Sequence, residues 1–122
     1  MQANPYQQFM QQSVSTMTPV QLLVALFEKS EQELKKAVYF IDNKEVENAN
    51  KSIIKVQDIV LLLDGSLKMK YQVSDNLSAL YGYFKERLIE ANIKKDAEII
   101  KELIPFFSEL KESFSEITKK GY

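Results

Sequence analysis

Residues 46–67 read VENANKSIIKVQDIVLLLDGSL, and the apolar residues in this stretch recur at alternating intervals of three and four. These spacings place side chains on one face of an α-helix, and their alternation is the heptad pattern of a bundle helix. The stretch therefore predicts a helix over about residues 45–66, with Gly65 near its end as a terminator. The predicted seam comprises Val46, Ala49, Ile53, Val56, Val60, Leu63 and Leu67.

Three further helices are predicted, the first of them from a start signal. In TPVQ, Thr18 is a suitable N-cap, Pro19 suits the first helical position, and Gln21 completes a capping box. This helix extends to about residue 41, a third covers about residues 75–92, and a fourth begins near Asp96 and ends before Gly121. Their predicted core positions are Leu77, Leu80, Tyr81, Phe84, Leu88 and Ala91 in the third helix, and Ile99, Leu103, Phe107, Leu110, Phe114 and Ile117 in the fourth.

Four helices joined by short connections predict an all-α protein, an antiparallel up-down four-helix bundle formed by residues 18–122. Residues 1–17 are rich in Gln and Ser and are predicted to form a mobile N-terminal arm with a short amphipathic helix at most. A kink is expected at Pro105, because proline removes a helical hydrogen bond and crowds the preceding turn.

Composition restricts the function. Sixteen basic and 17 acidic residues give a net charge of −1, which offers no basic field for nucleic acid. Cysteine and histidine are absent, which removes thiol nucleophiles, the commonest general base and the Glu-x-x-His pairs of di-metal bundles. No apolar run is long enough to span a membrane and no secretory signal is evident. We therefore expect a cytoplasmic binding protein with no enzymatic activity, cofactor or metal.

The acidic residues support the same expectation. They are interspersed with lysines along every helix, and each of them is interpreted as part of a solvated helix face rather than a catalytic pair. These residues are Glu31, Glu33, Glu45, Glu47, Glu98, Glu109 and Glu112.

The helices carry more apolar residues than one core needs. In the first helix the core face comprises Leu23, Leu26, Phe27, Ser30, Leu34, Ala37, Val38 and Ile41. Other positions fall outside the core faces: Leu22, Val24, Ala25 and Phe40 in the first helix, Ile54, Ile59, Leu61 and Leu62 in the second, and Asn76, Tyr83 and Arg87 on a flank of the third. They either widen the buried stripes or form an exposed groove, and contiguous exposed apolar surface usually marks a partner site.

Several motifs resemble the flagellar secretion chaperones of the FliS family. They are NPYQQF and SVSTMTPVQLLVALF near the start, NKEVENANKSIIKVQDIVLLLDGSL in the second helix, and NLSALYGYFKERLIEANIKKD across the third helix and the following turn. The similarity extends over essentially the whole chain. It implies a bacterial, cytoplasmic chaperone that holds the disordered C-terminal region of flagellin, prevents premature polymerisation and delivers flagellin to the flagellar type III export apparatus.

The resemblance also implies partners and a site. The expected partners are the flagellin C-terminal region, the export gate and a co-chaperone or regulator. The predicted flagellin-binding groove comprises Leu22, Leu23, Leu26, Phe27, Asn76, Leu80, Tyr83 and Arg87, with a purely core role as the alternative for Leu23, Leu26 and Leu80. Tyr6, Phe9 and Met10 are predicted to act as a lid over part of this groove. The competing interpretation is a regulatory helical bundle that self-associates through its apolar flanks.

Overall fold

The computed structural model of the protein describes residues 17–67 and 75–120, which form four α-helices and, within those two ranges, no strand. Helix α1 spans Pro19–Asp42, α2 spans Val46–Gly65, α3 spans Asp75–Lys94 and α4 spans Ala97–Lys119. Each boundary lies within about two residues of its predicted position, so the predicted all-α fold is confirmed.

The caps of α1 and α4 form as their sequences predict. The Gln21 backbone N–H donates to the Thr18 Oγ1 at 3.1 Å, and the Thr18 N–H donates to the Gln21 Oε1 at 3.0 Å. This reciprocal capping box satisfies two donors that the helix itself leaves unpaired. Asp96 caps α4 by accepting a hydrogen bond from the Glu98 N–H at 2.9 Å.

The turns that end α1 and α3 each place a lysine in the left-handed region. Lys44 has φ of 59° and Lys95 has φ of 51°. A left-handed residue directly after a helix reverses the chain within a few residues. The sequence places lysine at both positions rather than the glycine that this conformation favours.

Cross-helix contacts establish the antiparallel arrangement. Glu33 of α1 faces Lys55 of α2, Asn50 of α2 faces Asn92 of α3, and Phe84 of α3 faces Phe107 of α4. Further along α2 and α3, Asp64 pairs with Lys85, and Arg87 of α3 lies near Glu102 of α4, so contacts farther along one helix fall earlier along the next. The three-residue connection after α1 reverses the chain into α2. The circuit is closed by α1 and α4, which pack extensively and meet through Phe27 and Phe114 and through Glu31 and Lys111. The bundle order is therefore α1, α2, α3, α4 around the core, with α1 diagonal to α3.

The buried face of α2 differs from the predicted seam at two residues. Val46 was predicted to lie on the seam but is 55% exposed in the first turn. Ile59 was predicted to lie off the seam but is fully buried. A strict heptad advances at 3.5 residues per turn whereas the helix has 3.6, so the buried stripe drifts around α2 along its length.

Two acidic residues of α1 depart from the predicted solvated faces. Glu33 has a fully buried side chain, and Glu31 is largely buried against Lys111 of α4. Helix α4 continues through Pro105, which is exposed, so the Lys101 carbonyl that loses its usual hydrogen bond lies on the solvent side. The expected kink at this position stays a prediction.

Candidate functional site

The predicted groove residues of α1 divide by burial. Leu23, Leu26 and Phe27 are 2%, 2% and 0% exposed and belong to the hydrophobic core. Leu22 is half-buried and packs against that core from its edge. These three α1 residues therefore present almost no side-chain surface to a partner. Leu23 and Leu26 lie in the core, as the alternative interpretation of the sequence expected.

The predicted groove residues of α3 lie together on one flank of that helix. Asn76, Leu80, Tyr83 and Arg87 recur at intervals of four, three and four, which keeps them in line along the helix. Leu80 is half-buried against the core, whereas Tyr83 is 38% exposed. Because α1 lies diagonally across the bundle, this row faces α4 rather than the α1 residues with which it was grouped.

Helix α4 supplies the other side of this surface. The Tyr83 and Phe106 rings meet edge to face with centroids 5.8 Å apart, and Phe106 is 36% exposed. Edge-to-face packing of two half-exposed rings leaves apolar area open to solvent on a rigid platform. We call the surface formed by Asn76, Leu80, Tyr83, Arg87, Glu102 and Phe106 the α3/α4 strip.

Charged groups border the aromatic pair of the α3/α4 strip. The Arg87 Nη1 donates to the Glu90 carboxylate on the same helix, and its Nη2 lies 3.6 Å from the Glu102 Oε2 across the interface. The planar guanidinium is thereby oriented between two carboxylates beside the Tyr83 and Phe106 rings. The strip thus combines an apolar centre with a polar border, the composition of a protein-binding surface.

Phe106 and Glu102 were not among the predicted site residues. Both lie on α4 one turn apart, and only their pairing with Tyr83 and Arg87 identifies them. The sequence does carry a signal, since Phe106 and Phe107 are adjacent and therefore about 100° apart around the helix, so that both cannot lie at the centre of the core face. Phe107 is the fully buried member of the pair.

Comparison with known proteins addresses the identity of the fold. A model of the family described as flagellar protein FliS matches residues 2–121. The chain belongs to the flagellar protein FliS family.

Named relatives agree with this FliS assignment. The flagellar secretion chaperone FliS of Bacillus subtilis strain 168 is 30% identical over 113 residues, which cover 93% of this chain and 85% of the relative. The protein of the same name from Salmonella typhimurium strain LT2 is 29% identical over 115 residues, covering 89% and 83%. Both relatives are named flagellar secretion chaperones, which agrees with the family that the motifs of this chain resemble.

The fold of this FliS family member also matches a solved structure described as a flagellar chaperone from bacteria. That match has a TM-score of 0.77 and covers 94% of this chain and 95% of the other, at 15% identity. Across residues 17–67 and 75–120, no helix of the chain is both long enough and apolar enough to cross a membrane. The predicted lid residues Tyr6, Phe9 and Met10 lie outside these described residues.

Proposed function

We propose that this chain is a cytoplasmic, non-enzymatic export chaperone that binds the C-terminal region of flagellin, prevents its premature polymerisation and delivers it to the flagellar export apparatus. The observation that carries the proposal is the half-exposed Tyr83 and Phe106 pair on the α3/α4 strip. Aromatic and arginine side chains dominate the binding energy of protein interfaces, and Tyr83, Phe106 and Arg87 occur there together.

The α3/α4 strip suits an amphipathic segment that orders as it binds. Its residues follow the axes of two antiparallel helices, so a partner helix laid between them would meet Leu80, Tyr83 and Phe106 with one apolar face. A client that is disordered when free loses chain entropy on binding, and a long contact is needed to offset that loss. Covering the apolar face of such a segment would also keep it from pairing with other flagellin molecules.

Client selection would come from the polar border of the strip. Arg87 is held between Glu90 and Glu102, so a client must either keep these ion pairs intact or replace them with its own carboxylate. A mismatched client would leave charges unpaired as the surface becomes buried, which disfavours it. Asn76, exposed at the start of α3, would contribute directional hydrogen bonds of the same kind.

The N-terminal arm completes the proposal. Tyr6, Phe9 and Met10 would cover part of the apolar surface in the free protein and leave it when flagellin binds. The export gate and a co-chaperone or regulator would then engage the loaded complex. Removing residues 1–17 should change both flagellin affinity and self-association. If neither changes, the arm does not act as a lid.

The central test compares Tyr83→Ala with Tyr39→Ala in calorimetric titrations with a flagellin C-terminal fragment. Tyr39 is a matched control because it too is an exposed tyrosine, 60% accessible, packed edge to face against a neighbouring phenylalanine, but on α1. Tyr83→Ala should weaken binding about 30-fold, the effect of losing a hot-spot residue worth ~2 kcal/mol, whereas Tyr39→Ala should leave it within about twofold. Equal affinities for the two variants, with helicity unchanged in circular dichroism, would remove the α3/α4 strip from the binding site.

A further inference from the structure

Four exposed aliphatic residues lie away from the α3/α4 strip, two on the opposite flank of α3 and two on α2 beside it. Ile93 is 78% exposed, Leu61 58%, Ile89 51% and Ile54 40%. Counting residues along the antiparallel pair places all four on the outer side of the α2/α3 interface. We call this surface the α2/α3 groove.

The α2/α3 groove contains an apolar pocket. Leu61 and Gln57 of α2 and Ile89 and Lys85 of α3 line a cavity of about 150 Å³. A cavity of about this size in an apolar protein interior accommodates one benzene ring, and a leucine or phenylalanine side chain is of similar bulk. The pocket therefore fits a single large apolar side chain of a partner.

Polar pairs between the two helices close both ends of the groove. The Lys85 Nζ pairs with the Asp64 carboxylate at one end, and the Asn92 amide donates to the Asn50 Oδ1 at 2.8 Å at the other. These ends are 14 residues apart on α2, which corresponds to about 21 Å. Since Asp64 neutralises Lys85, the floor of the groove carries no net charge.

The rims of the groove are acidic. Asp58 of α2 and Glu86 of α3 are exposed, stand on opposite rims at nearly the same level, and make no salt bridge with any described residue. Lys51, which makes no salt bridge with a described residue, lies seven residues before Asp58 on nearly the same face of α2, about two turns away toward the Asn50 end of the groove. A partner with basic residues on both sides of its apolar face would complement this pattern, and one with acidic flanks would be repelled.

We propose that the α2/α3 groove is a second docking surface that binds an amphipathic helix of another protein, with an aliphatic stripe flanked by lysine or arginine. The stripe would lie on Ile54, Leu61, Ile89 and Ile93, and one of its side chains would fill the pocket. Because this groove and the α3/α4 strip occupy opposite flanks of α3, the chain could hold this partner and the proposed flagellin client at once. The inference does not depend on the identity of that client.

A designed peptide tests the groove directly. The probe is an 18-residue helix, about 27 Å long, with leucines at intervals of three and four flanked by lysines, and its counterpart carries glutamates instead. The lysine-flanked peptide should bind the full chain at least tenfold more tightly than the glutamate-flanked peptide, and its affinity should fall as salt is added. Equal binding of the two peptides would overturn the proposal.

Substitutions locate the binding. Leu61→Asp should weaken binding of the lysine-flanked peptide at least tenfold. Leu62 is the matched control, because it is 45% exposed and one residue away but on the α1 side of α2, and Leu62→Asp should change the affinity less than twofold. The double variant Asp58→Lys, Glu86→Lys should prefer the glutamate-flanked peptide. Equal effects of Leu61→Asp and Leu62→Asp would place the peptide elsewhere and overturn the assignment.

Two further measurements distinguish the proposed helical partner from flagellin and from a second copy of the chain as the occupant of the α2/α3 groove. Leu61→Asp should leave flagellin titrations unchanged, and Tyr83→Ala should leave peptide binding unchanged, so that either proposal can fail alone. Loss of flagellin binding in Leu61→Asp would assign the groove to the client instead. Light scattering that shows a dimer of the free chain, dissociated by Leu61→Asp, would make a second copy the occupant and would likewise overturn the proposal.

Discussion

Phe84 and Phe107 stack across the α3/α4 interface with ring centroids 4.4 Å apart and ring planes inclined at 25°. On the outer side of this buried pair, Phe106 meets Phe84 edge to face at 5.8 Å and then meets Tyr83. The aromatic cluster thus runs without interruption from the core to the surface of the α3/α4 strip. Tyr83 and Phe106 are held by the same packing that stabilises the bundle, which makes them a rigid platform for a partner.

Phe84 and Phe106 differ in burial, so replacing each by alanine should lower the free energy of unfolding by a different amount. Phe84→Ala removes a fully buried ring and should lower the free energy of unfolding by about 3–5 kcal/mol, the usual cost of a phenylalanine-sized cavity. Phe106→Ala removes a ring that is 36% exposed and should cost about 1 kcal/mol. Urea unfolding followed by circular dichroism measures both values. Equal losses would mean that Phe106 is a core residue rather than a surface one.

The helices could be predicted from sequence because their signals are local. The heptad spacing of α2 and the Thr18 to Gln21 box depend only on residues a few positions apart, and both appear in the structure. Val46 and Ile59 were misassigned because spacing alone does not decide burial. Val46 lies in the first turn of α2 and Ile59 at the edge of its buried face, where the position of the neighbouring helix decides which side chains are covered.

Only the α3 half of the candidate site was predicted, because the other half depends on which side chains meet across the α3/α4 interface. Asn76, Leu80, Tyr83 and Arg87 could be grouped as one row of α3 from their spacing. Their partners on α4 were not identified: the short connection makes α4 a neighbour of α3, but the spacing along α3 does not show which α4 side chains meet this row. The same limit concealed the burial of Glu33, whose lysine partners lie on two helices.

Glu33 should make stability depend on pH in the acidic range. Burial alone would raise the pKa of this carboxyl, but hydrogen bonds from Lys29 and Lys36 and the charges of Lys29 and Lys55 outweigh it and lower the pKa below its ordinary value of 4.5. A carboxyl with a lowered folded-state pKa stabilises the fold above its unfolded-state pKa. That stabilisation is lost as the pH falls through the folded-state value.

Glu33→Gln tests this dependence, because glutamine has a similar shape and cannot ionise. The variant should be less stable than the parent protein at pH 7 by about 1–2 kcal/mol, and the difference should shrink as the pH falls below the ordinary carboxyl pKa of 4.5. Urea midpoints at several pH values measure it. Exposed Glu28, on the solvent side of α1, provides the control variant Glu28→Gln, which should shift no midpoint. A pH-independent difference for Glu33→Gln would show that its charge does not stabilise the fold.

The capping box at the start of α1 should contribute measurably to stability. Thr18→Ala removes the hydroxyl that accepts the Gln21 N–H and leaves that donor to water, at a cost of about 1 kcal/mol. Thr18→Ser keeps the acceptor and should cost little. Thermal unfolding of the two variants distinguishes loss of the cap from loss of the methyl group, and equal melting temperatures would mean that the box is not formed in solution.

Gly82 should be replaceable by alanine with a gain in stability. It lies within α3, and a Cβ added there would meet no atom within 4 Å beyond its chain neighbours and the surrounding helix backbone, so no packing contact requires glycine. Alanine is favoured over glycine inside a helix by about 0.8–1 kcal/mol, chiefly because glycine loses more backbone freedom on folding. Gly82→Ala should therefore raise the melting temperature by about 3–5 °C.

Gly65 provides the comparison for Gly82. A Cβ at Gly65 also meets nothing within 4 Å, but this residue is the last of α2, where the helix ends and intrinsic helix propensity counts for less. Gly65→Ala should consequently stabilise the protein less than Gly82→Ala, as measured by differential scanning calorimetry of the two single variants. A lower melting temperature for Gly82→Ala would contradict the prediction and would mean that α3 does not accept the added methyl group.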